Sequence, residues 1–173
     1  MKQKIYLITG LMASGKSTVS DLLAKSIEKC VHLRGDVFRK MIISGRENMS
    51  ATPSAEAVRQ LYLRYKLTAD AARSYFDNGF SVVIQDNYYG DELSRMINYL
   101  HKYPVEVVVL CPDVETIKER ERYREKTGYS GFTVETLYDT FMQTTPRIGF
   151  WLDNSNQTPQ QTAETILNTR KPV

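Results

Sequence analysis

Residues 10–17 read Gly-Leu-Met-Ala-Ser-Gly-Lys-Ser and match the phosphate-binding pattern G-x-x-x-x-G-K followed by Ser or Thr. Residues 5–9 just before them form a β-rich apolar run, and apolar residues after them repeat at helical spacing. The sequence therefore predicts a buried strand, a glycine-rich loop and a helix, in that order. In this arrangement the N–H groups of the loop and the positive end of the helix surround a bound polyphosphate.

The residue types within the loop suit a nucleoside triphosphate with magnesium. Glycine is expected at tight backbone turns that a Cβ would hinder, and the lysine is expected to reach the outer phosphates while the following serine holds Mg²⁺. The predicted nucleotide-binding residues are Gly10, Ala13, Ser14, Gly15, Lys16, Ser17 and Thr18. A strand-to-helix turn that binds no nucleotide is the alternative, and the complete Gly-Lys-Ser ending argues against it.

The composition excludes several classes of protein. The 173 residues fit a single domain, and the two cysteines, Cys30 and Cys111, have no C-x-x-C spacing. This favours reduced thiols and a cytoplasmic setting. No segment approaches the roughly 20 apolar residues of a membrane span. The formal net charge of +3 is too small to indicate a nucleic-acid partner, and nothing indicates a particular oligomeric state.

Predicted strands alternate with predicted helices along the whole chain, which indicates an α/β fold with about five parallel strands. The longest helix is expected to begin with Thr52 as its N-cap and Pro53 as its first residue. A T-x-x-Q capping box, from Thr158 to Gln161, predicts the start of the last helix. The predicted strands are residues 5–9, 30–35, 80–84, 105–110 and 148–152.

Ligands of such sheets bind beyond the carboxyl ends of the strands, so residues that follow a strand are candidates for the site. Asp36 follows the second strand and could act as general base on an acceptor hydroxyl, orient that hydroxyl, or only cap the next helix. Arg39 could anchor the acceptor, pair with Asp36 or face solvent. Asp86 could orient the acceptor or magnesium-bound water, or cap a turn. Tyr88 could line the acceptor pocket or simply pack.

Charges alternate along residues 118–126, ahead of a connection that contains glycines. Helical geometry places Arg120 and Arg124 on one face and Arg122 nearly opposite. We therefore predict a closing lid over about residues 118–132, in which Arg120 or Arg124 neutralises charge on a transferred phosphoryl group. A solvated helix held by Glu–Arg pairs is the alternative.

These motifs together resemble those of the small P-loop kinases, over the whole chain. The most similar groups are the chloramphenicol phosphotransferase-like enzymes and their zeta-toxin-like and gluconate-kinase-like relatives. Residues 53–90 resemble the chloramphenicol kinase pattern, whereas residues 127–129 resemble gluconate kinases, whose usual residues after the aspartate are absent here. The spacing from Asp36 to Arg39 is also similar to the D-x-x-R of polynucleotide kinases.

The resemblance implies a three-layer P-loop NTPase fold, with a five-stranded parallel sheet flanked by helices and a small lid. It implies ATP and Mg²⁺ as the phosphoryl donor, and an aspartate that acts on the acceptor hydroxyl, a position that Asp36 matches. The expected function is transfer of the γ-phosphoryl group to a hydroxyl of a small molecule such as an antibiotic, a sugar or a sugar acid. A polynucleotide or nucleotide-sugar kinase, and a nucleotide-binding switch without transfer activity, stay open as alternatives.

Overall fold

A computed structural model describes residues 2–50, 52–123 and 133–169 of the chain. Within these ranges no helix has both the length and the apolar character needed to cross a membrane. The strands and helices alternate as the sequence predicts. In chain order they are β1 Ile5–Gly10, α1 Lys16–Lys25, β2 Cys30–Arg34, α2 Gly35–Lys40, α3 Ala55–Asp77, β3 Ser81–Gln85, α4 Asp91–Tyr99, β4 Val105–Leu110, α5 Val114–Arg122, α6 Val134–Thr144, β5 Phe150–Leu152 and α7 Pro159–Asn168.

The sheet has five parallel strands in the order β2-β3-β1-β4-β5, which confirms the predicted fold class. The carboxyl ends of the strands meet at one edge because neighbouring strands run in register. Gln85 at the end of β3 lies opposite Ile8 in β1 and opposite Arg34 in β2. On the other side of β1, Gly10 lies opposite Leu110 of β4. The loop after β1 therefore occupies the centre of this edge.

Helices cover both faces of the sheet and make three layers. Because side chains alternate along a strand, Ile5 and Leu7 of β1 face one layer while Tyr6 and Ile8 face the other. The first layer contains apolar side chains of α3, α4, α5 and α6, and the second contains those of α1 and α7. The three central strands, β1, β3 and β4, are buried on both faces, as expected of a parallel sheet, whereas the edge strands β2 and β5 are mostly half-buried.

The start of α3 differs from the prediction. Ser54, and not Thr52, is the N-cap, and its hydroxyl accepts a hydrogen bond of 3.0 Å from the backbone N–H of Ala57. Pro53 therefore lies before the helix. Both serine and threonine cap helices well, so residue type alone did not separate the two positions.

The cap of α3 generates a stability prediction. We expect Ser54→Ala to lower the free energy of unfolding by about 1 kcal/mol, because the N–H of Ala57 loses its partner. The matched variant Thr52→Ala should leave stability unchanged, since Thr52 is exposed and lies outside the helix. Urea unfolding of both variants measures the difference. A larger loss in Thr52→Ala than in Ser54→Ala would contradict the assignment of the cap.

Candidate active site

A cleft of about 840 Å³ lies at the carboxyl edge of the sheet. It is lined by the loop after β1, the start of α1, the segment from β2 into α2, the end of β3, one side chain of α5 and the loop after β5. Most of the residues predicted for the site meet here. Those that line the cleft are Ala13, Gly15, Lys16, Ser17, Thr18, Asp36, Arg39, Asp86 and Arg120.

The path of the phosphate-binding loop depends on glycine at its first position. Gly10 has a φ of 144°, and a Cβ there would lie 2.3 Å from the carbonyl oxygen of Leu110 in the neighbouring strand. Ala13 and Gly15 also have positive φ, at 63° and 97°. Such turns direct successive N–H groups toward the concave side of the loop, where they can bind an anion.

The N-terminus of α1 adds to this anion site. Gly15 is its N-cap and carries no side chain that could bind the first amides of the helix, and the first turn contains no acidic residue. Lys16 is only 8% exposed, and its Nζ donates to the carbonyl oxygens of Gly10 and Leu11 at 2.7 and 2.6 Å. A cationic nitrogen and uncapped amides therefore face one concave space, which fits a polyphosphate.

Oxygen ligands suitable for magnesium lie beside the loop. Ser17 Oγ is 3.4 Å from Oε1 of Gln85, and Asp86 follows Gln85 at the floor of the cleft. Hard oxygen donors are those that Mg²⁺ prefers. The residue types present therefore fit the ion. No cluster of three or more histidine, cysteine, aspartate or glutamate residues occurs in the described part of the chain.

Asp36 lines the cleft from the first turn of α2. Arg34 is the N-cap of this helix, so the alternative that Asp36 serves as the N-cap is wrong. Its carboxylate forms ion pairs with Arg39 at 3.0 Å and Lys40 at 2.9 Å. Burial raises the pKa of Asp36, but hydrogen bonds from Lys40 and Arg39 outweigh it and hold the pKa below its ordinary value. Asp36 is therefore an ionised acceptor of hydrogen bonds at neutral pH.

Asp86 is held by a residue that the sequence analysis missed. Its side chain is 7% exposed and pairs with Arg64 of α3, with Nε and Nη2 at 3.0 and 3.2 Å from its two oxygens. Burial raises the pKa of Asp86 and the positive charge of Arg64 opposes that rise. A Cβ on Gly35 would lie 2.1 Å from this carboxylate, so glycine allows the close approach.

Arg64 could have been found from the helical pattern. It lies four residues from both Gln60 and Thr68, which are buried, so the same face of α3 points inward at all three positions. A charged residue on a buried face calls for an opposite charge nearby.

Tyr88 does not line the cleft, so its predicted place in the acceptor pocket is wrong. Its side chain has no exposed surface and packs against Tyr65, with ring centroids 4.9 Å apart. The backbone explains this inward position. Thr9 Oγ1 accepts a hydrogen bond from the N–H of Tyr88 and donates one to its carbonyl oxygen. These two bonds hold the segment after β3 against β1.

Arg120 reaches the phosphate-binding loop from the end of α5. Its guanidinium donates to the carbonyl oxygens of Ser14 and Asn154, at 3.2 and 3.0 Å. Asn154 also donates from Nδ2 to the carbonyl oxygen of Ser14, at 3.1 Å. The loop after β5 and Arg120 thus hold one side of the phosphate-binding loop. Arg124 and most of the predicted lid, residues 124–132, lie outside the described residues.

Comparison with protein families agrees with this geometry. A family model described as an AAA domain matches residues 5–144, which is most of the chain. A comparison with curated proteins finds no significant match.

Similar folds occur among solved structures, including structures of kinases. A tunicamycin resistance protein of Deinococcus radiodurans is 16% identical, with a TM-score of 0.70. The match covers 95% of this chain and 94% of that protein. An unliganded sugar kinase of Janibacter sp. HTCC2649 is 20% identical, with a TM-score of 0.68. The match covers 95% of this chain and 92% of the sugar kinase. An APS kinase of Mycobacterium tuberculosis, in complex with AMPPNP and APS, is 15% identical with a TM-score of 0.69, and covers 96% of both chains. The predicted resemblance to small P-loop kinases is confirmed at the level of the fold.

The pairing of Asp86 with Arg64 generates the second prediction. We expect Arg64→Met to lower the free energy of unfolding by about 3–5 kcal/mol at pH 7, because it leaves a buried carboxylate without its cation. The difference in free energy of unfolding between this variant and the original protein should become smaller as the pH falls, since protonation of Asp86 removes the buried charge from the folded state. Urea unfolding at several pH values measures both effects.

Two further variants test this explanation. Arg59→Met, on the exposed face of the same helix, removes an arginine that pairs with Glu56 at the surface and should leave stability unchanged. Adding Asp86→Asn to Arg64→Met should recover much of the lost stability. A double variant as unstable as Arg64→Met alone would show that the buried charge is not the cause.

Proposed function

The chain belongs to the AAA domain family, and we propose that it is an ATP-dependent phosphotransferase that moves the γ-phosphoryl group to a hydroxyl of a small molecule. The observation that carries the proposal is the position of Asp36. Its ionised carboxylate lines the same cleft as Lys16 and the phosphate-binding loop, so a donor phosphate and an acceptor hydroxyl can occupy one space. A nucleotide-binding switch has no need of a carboxylate at this position.

The donor half of the cleft consists of the phosphate-binding loop and the start of α1. Bound ATP supplies the phosphoryl group, and Mg²⁺ neutralises the charge that develops during its transfer. The loop amides bind phosphate oxygens, and Lys16 can exchange two backbone carbonyls for phosphate oxygens. Ser17 would hold the metal when it is bound, and Asp86 would orient water on it.

The acceptor half of the cleft contains Asp36 between two cations. Asp36 accepts a hydrogen bond from the acceptor hydroxyl and takes its proton as the hydroxyl oxygen bonds to the γ-phosphorus, while the bond from that phosphorus to the bridging oxygen breaks and ADP leaves. Arg39 and Lys40 lower the pKa of Asp36, which weakens it as a base and makes orientation of the hydroxyl the larger part of its role. Arg39 is also held by Asn48, whose Oδ1 accepts from its Nη1 at 2.6 Å.

The remaining part of the proposal concerns the lid. We place the lid over residues 118–132, with Arg120 at its base, where its side chain already reaches the phosphate-binding loop. Arg120, and Arg124 as its predicted partner on the same face, neutralise charge on the phosphoryl group. An arginine in this role raises kcat by about 10³- to 10⁵-fold.

The acceptor can be identified by its effect on ADP release. We expect ADP release from ATP and Mg²⁺ to rise well above background with one class of hydroxyl compound in a panel of antibiotics, sugars, sugar acids, nucleosides and oligonucleotides. Lys16→Ala, which lacks the phosphate-binding ammonium, serves as the blank. Nucleotide binding without ADP release across the whole panel would instead support a switch. Phosphorylation of an oligonucleotide alone would move the assignment to a polynucleotide kinase.

The role of Asp36 is tested by its amide variant. We expect Asp36→Asn to lower kcat by about tenfold or more, because an amide cannot take the proton of the acceptor and accepts its hydrogen bond more weakly than a carboxylate does. The affinity for ADP should stay within about threefold of its original value, since the donor half of the cleft is unchanged. Steady-state kinetics and calorimetry measure the two quantities.

A matched control separates this role from a general charge effect. Asp21→Asn removes an aspartate of α1 that pairs with Lys25 at the surface, and it should change neither quantity. Unchanged turnover in Asp36→Asn would remove Asp36 from the mechanism.

A further inference from the structure

Arg34 is a cation of the cleft that the proposed reaction does not use. It is the last residue of β2 and the N-cap of α2, and its exposed side chain lines the cleft. Arg39 and Lys40, the other cations on this side of the cleft, are both paired with Asp36. Arg34 forms no ion pair with any residue in 2–50, 52–123 or 133–169. Its guanidinium is therefore available to a ligand.

The groups around Arg34 do not balance its charge. Because side chains alternate along a strand, Arg34 lies on the same face of β2 as His32, toward α1. Burial lowers the pKa of His32 and the charge of Arg34 lowers it further, so this imidazole is neutral at pH 7. On α1, Asp21 is paired with Lys25 at 2.7 Å, and its pKa is lowered first by Lys25 and only then by more distant cations such as Arg34.

The acceptor side of the cleft has an excess of positive charge. Of the residues that the structure describes, three cations line it, Arg34, Arg39 and Lys40. The ionised carboxylate of Asp36 balances one of them. The other acid of the cleft, Asp86, is already paired with an arginine of α3. Bound nucleotide phosphates are met by the loop lysine, the loop amides and Mg²⁺ in the donor half. Two positive charges therefore remain for the acceptor.

The register of the sheet places Arg34 close to the site of transfer. Arg34 lies opposite Gln85 of β3, and Oε1 of Gln85 is 3.4 Å from Oγ of Ser17 in the donor half. Neighbouring strands are about 4.8 Å apart, so Arg34 begins one strand beyond this point. Asp36 follows two residues later and lines the same cleft. A hydroxyl compound of the size of a single sugar can therefore contact Asp36 and Arg34 together.

We infer that Arg34 binds an anionic group of the acceptor, and that the acceptor is an acidic hydroxyl compound with a carboxylate or a phosphate ester within a sugar ring of the reacting hydroxyl. This inference rests on the proposed function, because it assumes that the acceptor hydroxyl lies at Asp36. The planar guanidinium of arginine donates two parallel hydrogen bonds to either kind of anion. A neutral acceptor would leave the excess positive charge of the cleft unbalanced.

The experiment compares three sugars that share one ring and differ at a single carbon. Glucose is neutral, glucuronate carries a carboxylate at carbon 6, and glucose 6-phosphate carries a phosphate ester there. Isothermal titration calorimetry uses protein saturated with AMPPNP and Mg²⁺, so that the donor half is filled and no transfer occurs. We expect at least one of the two acids to bind about tenfold tighter than glucose, and the preferred acid identifies the anionic group.

Two negative results have different meanings. If neither acid binds more tightly than glucose, the inference is wrong, while ADP release with a neutral compound would still support the proposed function. If AMPPNP does not bind, both the proposed function and the inference are wrong.

Variants assign the preference to one side chain. Arg34→Met should weaken binding of the preferred acid by about tenfold, and should leave the affinities for glucose and AMPPNP within about twofold of their original values. Arg59→Met is the matched control, since it removes the same charge from the exposed face of α3 and should change none of the three. An acid preference that persists in Arg34→Met would overturn the assignment. An equal loss of affinity for AMPPNP would place Arg34 in the donor half instead and would also overturn it.

Discussion

The close contact between Gly10 and the carbonyl of Leu110 is the constraint on which the site depends. The two residues lie opposite each other in neighbouring parallel strands, and no side chain fits between them. The chain must therefore leave β1 along a path that only glycine allows, and it returns into α1 through Gly15. This path places Lys16 across the loop, with its ammonium on the carbonyls that the turn exposes. A substitution at Gly10 would displace the anion site as a whole.

The two carboxylates of the cleft, Asp36 and Asp86, differ in their burial and in the cations that pair with them. Asp36 is half-buried and has two cations on its own helix, so its pKa is lowered and it stays ionised while open to a ligand. Asp86 is buried, and the arginine that pairs with it comes from another element, α3. Burial and pairing oppose each other at Asp86, which ties its charge state to the packing of Arg64. The first carboxylate is suited to contact an acceptor, and the second to fix the floor of the site.

The sequence predicts those features that depend on residues close together in the chain. The strand, loop and helix around residues 5–27 follow from hydrophobic period and one motif, and the alternation of such units predicts the parallel sheet. Two capping residues, Thr52 and Ser54, stand close together before α3, so the pattern did not separate them, and the structure has Ser54 as the N-cap. Arg64 and Tyr88 depend on contacts between distant segments. Arg64 pairs with a residue 22 positions away, and Tyr88 turns inward through hydrogen bonds to Thr9, 79 positions away.

The carbonyl of Ser14 connects the phosphate-binding loop to two other elements. It accepts hydrogen bonds from Arg120 of α5 and from Asn154 of the loop after β5, so the phosphate-binding loop keeps its shape only while these two side chains keep theirs. A displacement of either element would therefore change the phosphate-binding loop, because both side chains bind the same carbonyl oxygen.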